Sequence, residues 1–171
     1  MAKNPIEEFI DSLPFFKEFS EAEREKVVQT SGVFEKYKAG KVIIAEGDKT
    51  AAVFVILQGT VVIQKQVQVD VTENHIPPQK QVDFTIKELK AGSIFGEISL
   101  ISQRPRNTSA IASSNQVVVI KITNEIIEKF YLAIQKYFQN QLIQILVEML
   151  DDMKKKLVKL KASTLKNLND K

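Results

Sequence analysis

The spacing of hydrophobic positions changes twice along the chain. From Pro5 to about Gln29 it is helical: Ile6, Phe9, Ile10 and Leu13 form one stripe, Pro14 interrupts it, and Ser20 with Glu23 makes the capping box of a second short helix. Phe9, Phe15, Phe16 and Phe19 lie at helical and turn spacings among other apolar residues, which predicts packing aromatics rather than a ligand cage. From Val33 to about Ile122 the pattern becomes short β-type runs divided by glycine-containing turns. The predicted strands are Val33–Tyr37, Val42–Ala45, Ala52–Gln58, Thr60–Val71, Val82–Leu89, Ser109–Ala112 and Gln116–Lys121. In the longest pair, Val61, Ile63, Val67, Val69 and Val71 alternate with polar residues, and Val82, Phe84 and Ile86 do the same on the return. That predicts a half-buried antiparallel hairpin. Its tip, Thr72–Gln81, holds Pro77, Pro78 and the single histidine, His75, which reads as solvated loop.

From Thr123 onward the spacing is helical again, with Thr123 as N-cap, Ile126, Ile127 and Phe130 as a buried face, and no proline or glycine through Lys171. Two consecutive helices are predicted. The second carries Ile143, Leu146, Leu150, Met153, Leu157 and Leu160 at alternating three- and four-residue steps, an a/d heptad seam. The seam fits packing on the β-layer, or on its twin in a parallel homodimer of about three heptads. The fold class is therefore mainly β with flanking helices: a β-roll or jelly-roll barrel over residues 33–122, with N-terminal helices over 5–30 and C-terminal helices over 123–156. Residues 1–156 form one domain, and 157–171 a lysine-rich helical tail.

Composition narrows the chemistry. With 171 residues, 44% of them hydrophobic, the chain can bury a real core. The absence of cysteine removes disulfides and thiolate metal sites, and one histidine argues against a zinc site. No secretory leader and no bilayer-length apolar run is present, so a cytoplasmic protein without membrane contact is expected. The net charge of +3 is small and concentrated near the C-terminus, where Lys154, Lys155, Lys156, Lys159, Lys161, Lys166 and Lys171 face only Asp151, Asp152 and Asp170. This reads as a solvated helix face rather than a nucleic-acid or lipid patch.

The segment with the most chemistry is Phe95 to Ala112, FGEISLISQRPRNTSAIA. Gly96 permits an unusual backbone conformation and close approach to a ligand; a short apolar turn from Glu97 to Ile101 follows, bounded by Pro105. Backbone N–H groups opening such a turn can point at an anion. Arg106 offers a permanent guanidinium able to grip two phosphate oxygens, and Glu97 an acceptor-only carboxylate suited to a sugar hydroxyl. Together they complement a compact ligand with a phosphate anion beside a free hydroxyl.

The segment resembles the phosphate-binding cassette of the cyclic-nucleotide-binding family, whose pattern is F-G-E, two residues, L, then P-R and small residues; Phe95, Gly96, Glu97, Leu100, Pro105 and Arg106 match it. AGKVIIAEGD at Ala39–Asp48, VFVILQGTVVI at Val53–Ile63 and KAGSIFGE at Lys90–Glu97 are similar to the family's strands and turns. The likeness spans about Pro5 to Lys156. It implies ligand contacts from Phe95, Gly96, Glu97, Ile98, Ser99, Pro105, Arg106, Asn107 and Thr108, with Glu97 on the ribose 2′-hydroxyl and Arg106 on the cyclic phosphate. Asn107 departs from the family's alanine, serine or threonine, and Ser99 from its alanine or glycine.

The resemblance further implies a non-enzymatic sensor of cyclic AMP, with cyclic GMP as the alternative, no cofactor, and an unidentified downstream protein. Ligand would draw the Glu97–Ile101 turn inward, moving a hinge helix near Ile126–Ile134 and a lid helix at about Val147–Lys156. Two rival readings are a ligand-free docking module and a fragment of a larger regulator, kinase or channel. If Lys171 ends the protein, a DNA-reading helix-turn-helix after Leu160 is not expected.

Overall fold

Two helices lead into eight strands, and a long helix ends the order, in a computed structural model that describes residues 5–13, 16–17, 19–70, 79–129 and 132–169. The helices are α1 (Pro5–Ser12) and α2 (Glu21–Gln29). At the start of α2 the Glu23 backbone N–H donates to Ser20 Oγ at 3.3 Å, and the Ser20 N–H donates to the Glu23 carboxylate at 2.8 Å. This is the reciprocal capping box predicted from the sequence. Ile10, Leu13, Phe16 and Phe19 are buried, and the rings of Phe16 and Phe19 meet edge to face at 5.2 Å, so these aromatics are packing groups. Pro14 and Phe15 lie outside the described residues.

The strands are β1 (Phe34–Lys38), β2 (Val42–Ile44), β3 (Ala52–Gln58), β4 (Thr60–Asp70), β5 (Gln79–Lys90), β6 (Ile94–Phe95), β7 (Ser109–Ala112) and β8 (Gln116–Thr123). They form two antiparallel four-stranded sheets, ordered β1-β8-β3-β6 and β2-β7-β4-β5. This is the predicted jelly-roll arrangement with one correction: the sheets do not close into a barrel. Two-residue β6 pairs with β3 alone and β5 with β4 alone, so each sheet keeps free edges. The core draws on both sheets, with Phe54, Ile56, Val117 and Val119 from the first and Ile44, Val61, Leu89, Ala110 and Ala112 from the second. Each fully buried valine, leucine, isoleucine or phenylalanine contributes about 1.5–3 kcal/mol relative to exposure.

The β4–β5 hairpin is antiparallel as predicted but is buried only at its base. Val61 and Leu89 are buried, whereas Val67, Val82, Phe84 and Ile86 are exposed, Phe84 at 63%. Strand β7 covers β4 only from Val61 to Gln64, and a register shift between Ile63 and Gln64 interrupts the alternation there. Beyond it the ribbon has two strands and no described neighbour to complete a buried face. β5 begins at Gln79, inside the predicted tip, and His75, Pro77 and Pro78 lie outside the described residues.

Helix α3 (Glu97–Ser102) sits between β6 and β7 in the chain, and α4 (Asn124–Ile127) follows β8. Thr123 precedes α4 in extended conformation without a side-chain capping bond; Ile126 and Ile127 are half-buried rather than buried, and Phe130 lies outside the described residues. Residues up to 131 form one unit, and those from 132 a second. The second is α5 (Leu132–Asn169), 38 residues without interruption, so the residue 156/157 boundary placed from the sequence falls within a continuous helix. Among the described residues no helix is long and apolar enough to cross a membrane.

Candidate functional site

The site is built where the turn after β2 meets the segment before β7. Gly47 N–H donates to the Arg106 carbonyl at 2.8 Å, and Arg106 N–H donates to the Asp48 carbonyl at 2.8 Å. These two bonds bracket the Arg106 backbone and fix where its side chain starts. The guanidinium then runs inward: Nη1 donates to the Gly96 carbonyl at 2.6 Å and Nη2 to the Ala52 carbonyl at 2.7 Å. Arg106 is only 5% exposed, although the residues from Ile101 to Pro105 are exposed. Its buried Nε has no hydrogen-bond partner. A buried N–H of a charged group without an acceptor is costly, and an acceptor supplied from outside the chain would offset that cost.

Gly96 explains how the arginine reaches this position. It caps α3 with φ of +83°, and a Cβ built there would lie 3.0 Å from the Ala52 carbonyl oxygen, 3.0 Å from Arg106 Nη1 and 3.1 Å from Ile44 Cδ1. Only glycine lets the α3 entrance approach the guanidinium and supply its own carbonyl. Beneath it Phe95 stacks on Phe54 with ring centroids 5.2 Å apart, and the guanidinium carbon of Arg106 lies 6.0 Å from the Phe54 ring centre.

Glu97, the first residue of α3, is 4% exposed. Burial raises its carboxyl above the ordinary range; its own backbone N–H and the charges of Arg106 and Lys87 oppose the rise without cancelling it. Burial correspondingly lowers Arg106, against the charges of Asp48 and Glu97. Among the described residues the two do not form an ion pair; the guanidinium bonds carbonyls and meets Glu97 only through space. A buried acid and a buried base are thus held close without neutralising each other by contact.

The remaining sequence-predicted residues divide. Phe95 and Ser99 are buried, and Ser99 Oγ donates to the Gly96 carbonyl at 3.3 Å, so this serine ties α3 to its cap. Ile98 is 37% exposed, Pro105 and Asn107 are exposed, and Thr108 is half-buried. The structure draws Gly96, Glu97, Ser99 and Arg106 together and leaves Ile98, Pro105 and Asn107 at the surface. Sequence reasoning missed a second group. Lys65 of β4 donates to the Asn107 carbonyl at 2.8 Å and also pairs with Glu46. Glu46 accepts from the Gln66 N–H at 3.2 Å, and its own N–H donates to Ser109 Oγ at 3.0 Å. The bond from Lys65 holds the Glu46 carboxyl below its ordinary range. A lysine 42 residues from the loop it holds has no local signature, and the Ala52 acceptor is a backbone atom.

Over 109 residues the chain is 29% identical to the cAMP-dependent protein kinase regulatory subunit of Aspergillus niger, covering 64% of this chain and 23% of that protein. The match thus takes in about a quarter of the relative's length. Among solved structures the Thermus thermophilus catabolite activator protein is similar with a TM-score of 0.62 at 23% identity, covering 86% of this chain and 63% of that one. The regulatory subunit of a cAMP-independent protein kinase A from Trypanosoma brucei is similar with a TM-score of 0.61 at 16% identity, covering 81% and 44%. At these identities the two likenesses show the fold alone. The family model described as the cyclic nucleotide-binding domain matches residues 34–133, from the first strand of the roll past α4 and across the whole Arg106 site. With more than half its length inside that match, this chain belongs to the cyclic nucleotide-binding domain family.

Proposed function

We propose that the chain is a non-enzymatic sensor of a 3′,5′-cyclic nucleotide, with cyclic AMP as its ligand and no cofactor besides. One observation carries the reading: Arg106 is a buried cation with an unpartnered Nε and, among the described residues, no contacting carboxylate. A cyclic phosphate supplies both the missing acceptor and the missing charge, through charge-assisted hydrogen bonds. The ribose 2′-hydroxyl then donates to Glu97, which gives the desolvated carboxylate a partner and favours its ionised form. Likeness to a kinase regulatory subunit supports a regulatory role toward another protein, with readout through α3 and onward through α4 and α5. The ligand need only bind one conformation better than the other for this to work.

A cytoplasmic location fits a sensor of this kind. Cyclic GMP is the alternative ligand, because the Asn107 amide both donates and accepts and so suits guanine as well as the phosphate. The exposed seam of α5 supports a protein contact, either with a second copy, as the heptads alone suggest, or with a different protein. The ribose contact is tested by measuring affinities for cyclic AMP and its 2′-deoxy analogue in the parent and in Glu97→Ala, which removes every side-chain acceptor at that position. The parent should prefer cyclic AMP by about tenfold, the worth of one hydrogen bond to a charged group, and the variant should lose that preference. Unchanged discrimination in the variant would remove Glu97 from the ribose.

A further inference from the structure

The apolar seam of α5 is flanked by charge of a single sign. With a/d positions at Ile143, Leu146, Leu150, Met153, Leu157 and Leu160, the flanking e and g positions are Val147, Met149, Lys154, Lys156, Lys161 and Ser163. The lysines cluster around Met153, Leu157 and Leu160, which are 63%, 54% and 64% exposed. The helix's own acids do not offset them. Asp151 meets Lys154 at 3.7 Å in a solvent-exposed pair of the weak kind, and Asp152 meets Lys155, which lies off the seam. Among the described residues no ion pair engages Lys156 or Lys161.

A second copy of the chain cannot answer this charge. In a parallel pair, position g of one helix faces position e of the other one heptad on, which sets Lys156 beside the other copy's Lys161; in an antiparallel pair, e faces e and g faces g. In either arrangement no e or g position between 147 and 163 supplies a carboxylate. An anionic bilayer fits less well than a helix, since between the flanking lysines the seam narrows to its a and d positions Met153, Leu157 and Leu160, and no aromatic lies from Ile143 to Leu160. We propose that the α5 seam docks an acidic amphipathic helix of a different protein, with apolar residues at heptad spacing and glutamate or aspartate at the flanking positions. Its apolar residues cover Leu150, Met153, Leu157 and Leu160, and its acids meet Lys154, Lys156 and Lys161. The inference stands on α5 alone and does not depend on nucleotide binding.

The test uses the full chain and two synthetic three-heptad peptides with leucine at a and d, one with glutamate and one with lysine at e and g. Sedimentation equilibrium should show the chain as a monomer that binds the glutamate peptide at least about tenfold more tightly than the lysine peptide. Leu157→Ser, at an exposed position that leaves the fold intact, should abolish binding. Lys156→Glu with Lys161→Glu should reverse the peptide preference. Lys156→Glu alone should induce self-association, because the carboxylate it introduces faces Lys161 of a second copy. Self-association of the parent as tight as its peptide binding would overturn the proposal. So would a preference that survives charge reversal, or binding to phosphatidylserine vesicles that the glutamate peptide does not compete away.

Discussion

Replacing Gly96 by alanine tests whether the site depends on close backbone approach. Its φ of +83° costs an L-residue roughly 1–2 kcal/mol in the left-handed region. The added methyl would lie 3.0 Å from the Ala52 carbonyl oxygen and from Arg106 Nη1, and 3.1 Å from Ile44 Cδ1. Relieving such overpacking costs typically about 1–3 kcal/mol, so Gly96→Ala should lose about 2–5 kcal/mol in all. Gly40→Ala provides the subtraction, because Gly40 has a φ of +79° but nothing within 4 Å of an added Cβ. It should lose only about 1–2 kcal/mol. Urea unfolding of parent and both variants measures the difference at constant slope. Because Ala52 O and Nη1 both belong to the guanidinium's hydrogen bonding, Gly96→Ala should also weaken cyclic-nucleotide binding, while Gly40→Ala should not. Equal destabilisation by the two changes would refute the packing argument.

Two further perturbations separate stability from binding. The Glu97 carboxyl is raised by burial, so its contribution to stability is complete below the ordinary glutamate pKa and is lost as pH rises through the folded value. Glu97→Gln removes that loss: thermal melts without ligand should show the variant gaining on the parent from acid to neutral pH, and parallel pH profiles would contradict the assignment. Lys65→Met removes the tie between β4 and the Asn107 carbonyl; because Lys65 and Glu46 are part-exposed, stability should fall by less than about 1 kcal/mol. Ligand dissociation followed by stopped flow should nevertheless quicken several-fold, and an unchanged rate would reduce the lysine to a surface ion pair.

Much of the fold was legible because the hydrophobic periods matched it. The alternation around Val61 and Leu89 and the box at Ser20 and Glu23 are local patterns with local causes, and the structure keeps them. The outer hairpin misled for a physical reason. Val67, Val82 and Phe84 alternate as a buried strand would, yet burial requires a neighbouring layer, which β7 supplies only as far as Gln64. Two-residue β6 falls below any periodic signal. At the site, Glu97 and Arg106 announced themselves as an acid and a base in a glycine-led turn, and the structure buries both. The acceptors of Arg106 are main-chain carbonyls of Gly96 and Ala52, which carry no side-chain signature. Lys65, Glu46 and Asn107 meet only because β4 and the two turns are folded together.

The central claim is that buried Arg106 receives a cyclic phosphate, and the melting temperature of the chain with cyclic AMP, cyclic GMP and AMP at equal concentration tests it most directly. A ligand at a hundredfold its Kd adds about 2.7 kcal/mol to the folded state, which for a chain of this size raises Tm by about 5–10 °C. The account predicts such a rise with cyclic AMP, none with AMP, and none with any nucleotide in Arg106→Ala. No rise in the parent with either cyclic nucleotide, even at millimolar concentration, would contradict it.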